Sequence, residues 1–260
     1  MKVSILDLLT FNGGYVDTAG FLALQGLFTA HVTGNFVTIG ASLVQSTSGV
    51  IAKLLALPVF CAVVVLTRAF SDRLPREGRT AVNVLIAVKV MLFVAAAALA
   101  LCLGPFTNGD SLGAIGAGMT LVAAMAIQNT IHRLFLTKAP PTTLMTGNTT
   151  QIMMNVAELL RGDLAPAERS TLRTKSLALA RSICVFAVGC AAAALIFAAA
   201  RGGVFVVPPL IATLASLPAS APVLRRPRSD VLVYYTGWIE LPYLATGGAQ
   251  AISLAHARSV

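Results

Sequence analysis

Charge is scarce in this sequence. Asp, Glu, Lys and Arg together make up 11% of its 260 residues, against roughly 25% in an average soluble domain. A water-facing surface cannot be assembled from so few charges, and an integral membrane protein is expected. Catalytic signatures are missing as well: there is no His-Glu-x-x-His, no Gly-x-Ser-x-Gly, no P-loop and no Gly-x-Gly-x-x-Gly following a strand, which argues against an enzyme. The four cysteines, Cys61, Cys102, Cys184 and Cys190, lie in or at the end of apolar stretches, form no Cys-x-x-Cys pair and have no histidine nearby. They read as small packing residues, and neither a metal nor a cofactor is expected.

Hydrophobic residues, by contrast, make up 57% of the chain. Windows of about 20 apolar residues place six spans near residues 5–30, 50–70, 81–104, 112–135, 174–199 and 203–222. The first follows a single Lys2, carries Asp7 and has no small-residue cleavage site, so it is expected to stay in the mature protein. The net charge of +9 is unevenly placed. Lys2, Arg68, Arg73, Arg76, Arg79, Arg133, Lys138, Arg161, Arg169, Arg173, Lys175, Arg225, Arg226, Arg228 and Arg258 all fall on one side of a six-span chain, while Lys53 and Arg201 fall on the other. The positive-inside rule then puts both termini in the cytoplasm of a bacterial inner membrane, and the basic residues serve topology and lipid headgroups rather than nucleic acid.

Two segments repeat. Thr29-Ala30-His31-Val32-Thr33-Gly34-Asn35 and Thr142-Thr143-Leu144-Met145-Thr146-Gly147-Asn148 both close a hydrophobic stretch with Thr-Gly-Asn. Polar residues then recur at helical offsets, Asn35, Thr38, Ser42, Gln45 in one copy and Asn148, Gln151, Asn155, Glu158 in the other, which puts each set on one helix face. Three spans per copy is an odd number, so the duplication is inverted. The expected fold is all-α: a single transmembrane domain over 1–224, with repeat one at about 5–104 and repeat two at about 112–222, and an interfacial or loose tail over 225–260. The tail is aromatic, with Tyr234, Tyr235, Trp238 and Tyr243. The segments 35–46 and 148–160 are roughly 18–20 Å long, too short to cross about 30 Å of hydrocarbon, and read as half-helices. Thr and Asn suit their N-caps, and Gly34 and Gly147 suit a tight reversal. The two motifs are expected at opposite mouths of the protein, their polar stripes lining a route at the repeat interface.

Asp17, beside Tyr15 in the first span, costs about 2.5–3.5 kcal/mol at such depth and marks a proton, cation or substrate site; a structural carboxyl is the plainer alternative. Lys89 is either its counter-charge or a snorkelling residue. Gln128, Asn129, His132 and Arg133 cluster at the end of span four, as an inner gate or as interhelical bonds and an anchor. Gly113, Gly116 and Gly118 permit close helix packing.

The segments Gly14-Tyr15-Val16-Asp17-Thr18-Ala19-Gly20-Phe21, Phe28-Thr29-Ala30-His31-Val32-Thr33-Gly34-Asn35, Gln128-Asn129 and Pro141 to Gln151 resemble the YoaK-type family of small bacterial membrane proteins. That resemblance covers about residues 5–220 and implies a multi-pass membrane fold of unknown function, with no substrate attached. The expected function is a small-molecule permease with an unidentified small-molecule or ion substrate. Its pathway residues are Tyr15, Asp17, His31, Thr33, Gly34, Asn35, Gln128, Asn129, Arg133, Thr146, Gly147, Asn148 and Gln151. The alternative is a non-transporting scaffold or assembly factor, and homo-oligomerisation stays open.

Overall fold

The computed structural model describes residues 4–74 and 78–216, so the expected tail lies outside the described residues. Among them every regular element is helical. The order is α1 (Ile5–Ala23), a 3-10 turn (Val32–Gly34), α2 (Asn35–Gln45), α3 (Val50–Arg73), α4 (Gly78–Leu103), α5 (Leu112–Phe135), α6 (Met145–Arg161), α7 (Pro166–Ala200), a 3-10 segment (Arg201–Val206) and α8 (Val207–Ser216). A long helix, a short one and two further helices thus occur twice in sequence.

Helix α1 begins at a capping box, in which Ser4 N–H donates to Asp7 Oδ2 at 2.8 Å and Asp7 N–H donates to Ser4 Oγ at 3.2 Å. It stops at Ala23, because Gln25 (φ 55°) and Gly26 (φ 82°) adopt left-handed backbone that turns the chain back. The expected first span of 5–30 is therefore a 19-residue helix followed by a returning loop. Four stretches are long and apolar enough to cross a membrane: Val50–Arg73, Thr80–Leu103, Leu112–Phe135 and the run Pro166–Ser216. Helix α1 is not among them, since Asp7, Asn12 and Asp17 interrupt its hydrophobicity. The expected fifth and sixth spans form one apolar run broken by the 3-10 segment.

The least hydrophobic of the four is the most buried. Helix α5 has the lowest mean hydropathy of the four, 1.4, and 67% of its window is buried; α3 has 2.5, with 22% buried. Exposed Leu54, Val65 and Leu66 on α3, Met91 and Val94 on α4, and Leu177 and Leu195 on α7 form the outer surface. In water these faces would aggregate, and in lipid they are at home. The apolar helices mark a membrane protein whose polar residues are gathered inside.

The packing repeats with the helix order. Helix α1 runs along α7 as α5 runs along α3, and α4 packs on α5 as α8 packs on α1. The α1–α7 contact is close because glycines face main chain on both sides: a Cβ at Gly14 would come 2.2 Å from the Phe186 carbonyl oxygen, and one at Gly189 2.2 Å from that of Phe11. Gly118, among the three glycines expected to allow close packing, lies tight against Leu27. Arg181 of α7 clasps Asp7 of α1, Nε to Oδ1 at 2.8 Å and Nη2 to Oδ2 at 2.7 Å. Lys53, expected in an outer loop, is instead buried in the first turn of α3, where Nζ donates to Ser42 Oγ at 2.6 Å.

Candidate functional site

Each motif loop turns back along the helix that precedes it, and polar side chains on that helix hold it there. In the first copy the carboxylate of Asp17, 5% exposed, is the holder. Its Oδ1 accepts the main-chain N–H groups of Thr29 and Ala30, both at 2.8 Å, and its Oδ2 meets His31 Nδ1 at 2.5 Å. Asp17 lies roughly 9 Å back from the end of α1, at 1.5 Å per residue, so the loop is drawn well alongside the helix. In the second copy the holders are neutral. Thr143 Oγ1 donates to Asn129 Oδ1 at 2.9 Å, and Gln128 Nε2 donates to Leu9 O at 2.9 Å and Thr142 Oγ1 at 3.3 Å. His132 adds contacts from Nε2 to the carbonyls of Ala139 and Pro140, at 3.2 and 3.1 Å.

The two loops consequently meet. A Cβ at Gly13, one turn before Asp17, would lie 3.0 Å from Thr142 O and 3.3 Å from Thr143 Cγ2, and Asp17 in turn holds Thr29, Ala30 and His31 of the first loop. The stretches that lead into the two motifs are therefore neighbours, a meeting that the expected placement at opposite mouths did not foresee. Side chains two turns inside α1 and α5 attract them towards a common centre.

The triplets also work differently from the expectation. Neither Thr nor Asn caps a helix by its side chain. Asn35 instead reaches back seven residues, accepting Phe28 N–H and donating to Phe28 O, both at 2.8 Å. Asn148 reaches back the same distance, donating to Pro141 O at 3.1 Å. Pro141 has no N–H to return, and Asn148 Oδ1 is buried without a hydrogen-bond partner. Gly34 has ordinary helical backbone (φ −62°) and makes room for the Phe28 ring, 3.0 Å from where its Cβ would stand. Gly147 has no neighbour within 4 Å of that point and lies inside the first turn of α6.

The half-helices are polar inside and apolar outside. Asn35, Ser42, Asn148 and Asn155 are buried, whereas Val37, Val44 and Leu160 are exposed. Ser42 accepts from Lys53, Asn155 Nδ2 donates to Ser176 Oγ at 3.0 Å, and Gln151 Nε2 donates to Asn155 Oδ1 at 2.9 Å. The stripes attach the half-helices to α3 and α7. Of the other expected pathway residues, Thr33, Thr146 and Arg133 are exposed, and Tyr15 is buried with its hydroxyl donating to Val204 O at 2.9 Å. Lys89 neither pairs with Asp17 nor snorkels. It is fully buried, with Nζ 2.5 Å from Gln128 Oε1 and 5.1 Å from the Phe93 ring centroid.

Beside the Asp17–His31 pair lies an open-sided cavity of about 480 Å³, bordered by Phe21 of α1, Phe28 of the first loop, and Phe186 and Cys190 of α7. Those wall residues, with Thr142 and Thr143 as partners of the holders, were not singled out as site residues from the sequence. The two threonines stood within the duplicated segments, and that duplication was their available signal. Among the described residues no three His, Cys, Asp or Glu side chains come together as a metal site.

No curated protein matches the chain, and no solved structure matches it. A family model does, over residues 5–217, nearly the stretch over which the YoaK-type resemblance runs. By that match, and with the apolar helical architecture that goes with it, the chain belongs to the family described as protein of unknown function, DUF1275.

Proposed function

We propose that the chain is a permease of the bacterial inner membrane. In this reading two inverted repeats carry a small molecule or ion past the junction of their motif loops, and both termini lie in the cytoplasm. The observation that carries the reading is the convergence of both loops on the middle of α1, beside an ionisable pair that borders a cavity. Non-helical backbone at such a place is tolerated inside a membrane where protein buries it or a cavity adjoins it. Broken helices that meet at a repeat interface are how many transporters build their sites. The recurring helix order, and the exchange of α1–α7 for α5–α3, support the repeats. Rocking of one repeat on the other would open these two equivalent interfaces in turn.

A scaffold is the second reading, favoured by one observation: Asp17 and both polar stripes already have partners within the chain. Asp17→Asn separates the two. Asn keeps an acceptor for the Thr29 and Ala30 N–H groups and removes the charge, so a permease keeps its folded yield and loses flux. A scaffold with this change loses yield or partner recovery.

Topology is tested by cysteines at exposed positions 33 and 146, with Cys61, Cys102, Cys184 and Cys190 replaced, using an impermeant thiol reagent on oriented vesicles. Inverted repeats predict labelling of 33 from outside and of 146 from inside. Labelling of both from one face would remove the inverted topology and the permease with it.

A further inference from the structure

The Asp17–His31 pair is one wall of the cavity, and aromatic rings form much of the rest. Phe21 and Phe28 lie with ring centroids 5.1 Å apart, and Phe186 meets the His31 ring edge-on at 5.8 Å. Aromatic faces attract cations, more strongly where water is excluded. A carboxylate set among such rings selects positive charge on an apolar body. The carboxylate already has an occupant of that description in the His31 ring, a flat heterocycle that is singly charged when protonated.

Protonation follows from what the ring touches. The His31 Nδ1 faces the Asp17 carboxylate at 2.5 Å, a contact that an imidazolium makes as a charge-assisted hydrogen bond. His31 stands in the loop, outside the spanning helices. Its pKa is raised first by the hydrogen bond to Asp17, against the opposing effect of burial, and further by the charge of Asp17 and the Thr143 contact. Among the described residues the remaining titratable group on the cavity wall is Cys190 of α7, whose thiol donates to Gly14 O at 3.4 Å and so keeps its proton. A protonated His31 facing the Asp17 carboxylate sets one positive charge against one negative charge at the wall. A second cation entering would bury uncompensated charge, which is costly, unless a proton departs.

We propose that this cavity binds a lipophilic organic ammonium, which replaces the His31 imidazolium at Asp17 Oδ2 so that one cation enters as one proton leaves. The step balances: the N–H bond at His31 breaks, its electron pair stays on the ring, the proton passes to water, and the ammonium pairs with the carboxylate. Carried across a membrane, the exchange is an antiport of organic cation against proton. The proposal rests on reading this cavity as the permease's substrate site.

The full chain in detergent, in weak buffer just above the ordinary imidazole pKa of about 6.5, where a paired His31 holds its proton and a displaced one gives it up, is titrated calorimetrically with benzyltrimethylammonium while a pH dye follows proton release. The expected result is saturable binding with about one proton released per cation, the stoichiometry of a single linked group. Binding should be weaker by at least about tenfold for neopentylbenzene, the uncharged isostere, and for Asp17→Asn, the scale of a lost charge-assisted contact. His31→Gln should bind the cation and release no proton. Thermal unfolding of each variant, run alongside, establishes that it is folded. Absent binding, equal binding of the hydrocarbon, or undiminished proton release in His31→Gln would overturn the proposal. Labelling at positions 33 and 146 in parallel keeps the two readings apart. Opposite-face labelling without cation binding defeats the cation site alone, and cation binding with same-face labelling defeats the permease alone.

Discussion

The two motif loops solve one problem with different chemistry. Both must bring polar main chain back beside a hydrophobic helix, where unpaired N–H and C=O groups are expensive. The first loop is held by a charge, with Asp17 accepting two main-chain N–H groups and facing an imidazole. The second is held by amides and hydroxyls, through Gln128, Asn129, Thr142 and Thr143. The anchoring asparagines differ in the same sense, since Asn35 is satisfied at both ends by Phe28 and Asn148 at one end by Pro141. The same return of the chain is thus reached at both motifs, and one of them has an ionisable pair beside a cavity.

The largest effect should come from breaking the charged anchor. Asp17→Ala orphans the buried N–H groups of Thr29 and Ala30, at about 1–3 kcal/mol each, so a loss of about 3–6 kcal/mol is expected once the histidine contact is included. Asn129→Ala, its neutral counterpart, should cost about 1 kcal/mol. Thermal unfolding in detergent, followed by dye labelling of the native cysteines, compares them; equal shifts would mean that the loops are held alike. Next in size is Gln128→Leu, which deprives the buried Lys89 Nζ of its acceptor and should cost about 1–3 kcal/mol. Adding Lys89→Met removes the stranded group and should recover much of that loss. A double variant no more stable than Gln128→Leu would show that Lys89 is not what the amide serves. The smallest effect sharpens the asparagine comparison. Asn35→Ala should cost about 1 kcal/mol more than Asn148→Ala, one hydrogen bond's difference, and the gap should close in a Pro141→Ala background, where an N–H becomes available to Asn148. An unchanged gap there would place the asymmetry elsewhere.

Much of the site was legible before its geometry. The repeated Thr-Gly-Asn triplets identified both loops, and the depth cost of Asp17 marked the charged holder. The four-residue spacing of Gln128, Asn129, His132 and Arg133 marked the helix end from which the second loop is held. The roles assigned to these residues fared less well. Asparagine after a turn suits an N-cap by local preference, yet Asn35 and Asn148 bond backward across seven residues, a contact that exists once the loop has returned. The polar stripes read as a lined route, because periodicity reports which residues share a face and not what that face touches. Lys89 lay within reach of a helix end in sequence terms, and the packing of α4 on α5 buried it.

By itself, then, the sequence determined the quantities that add up along a chain: an apolar, all-helical membrane protein, short helices after each motif, and a duplicated order. Those follow from hydropathy and local periodicity, which depend on neighbours in sequence. Tertiary structure decided where the loops go, which stripe faces inward, and that Phe21, Phe28, Phe186 and Cys190 share one cavity with Asp17 and His31. These depend on pairings between residues far apart in the chain. Inside a hydrophobic bundle such pairings are settled by the requirement that every buried polar group find a partner.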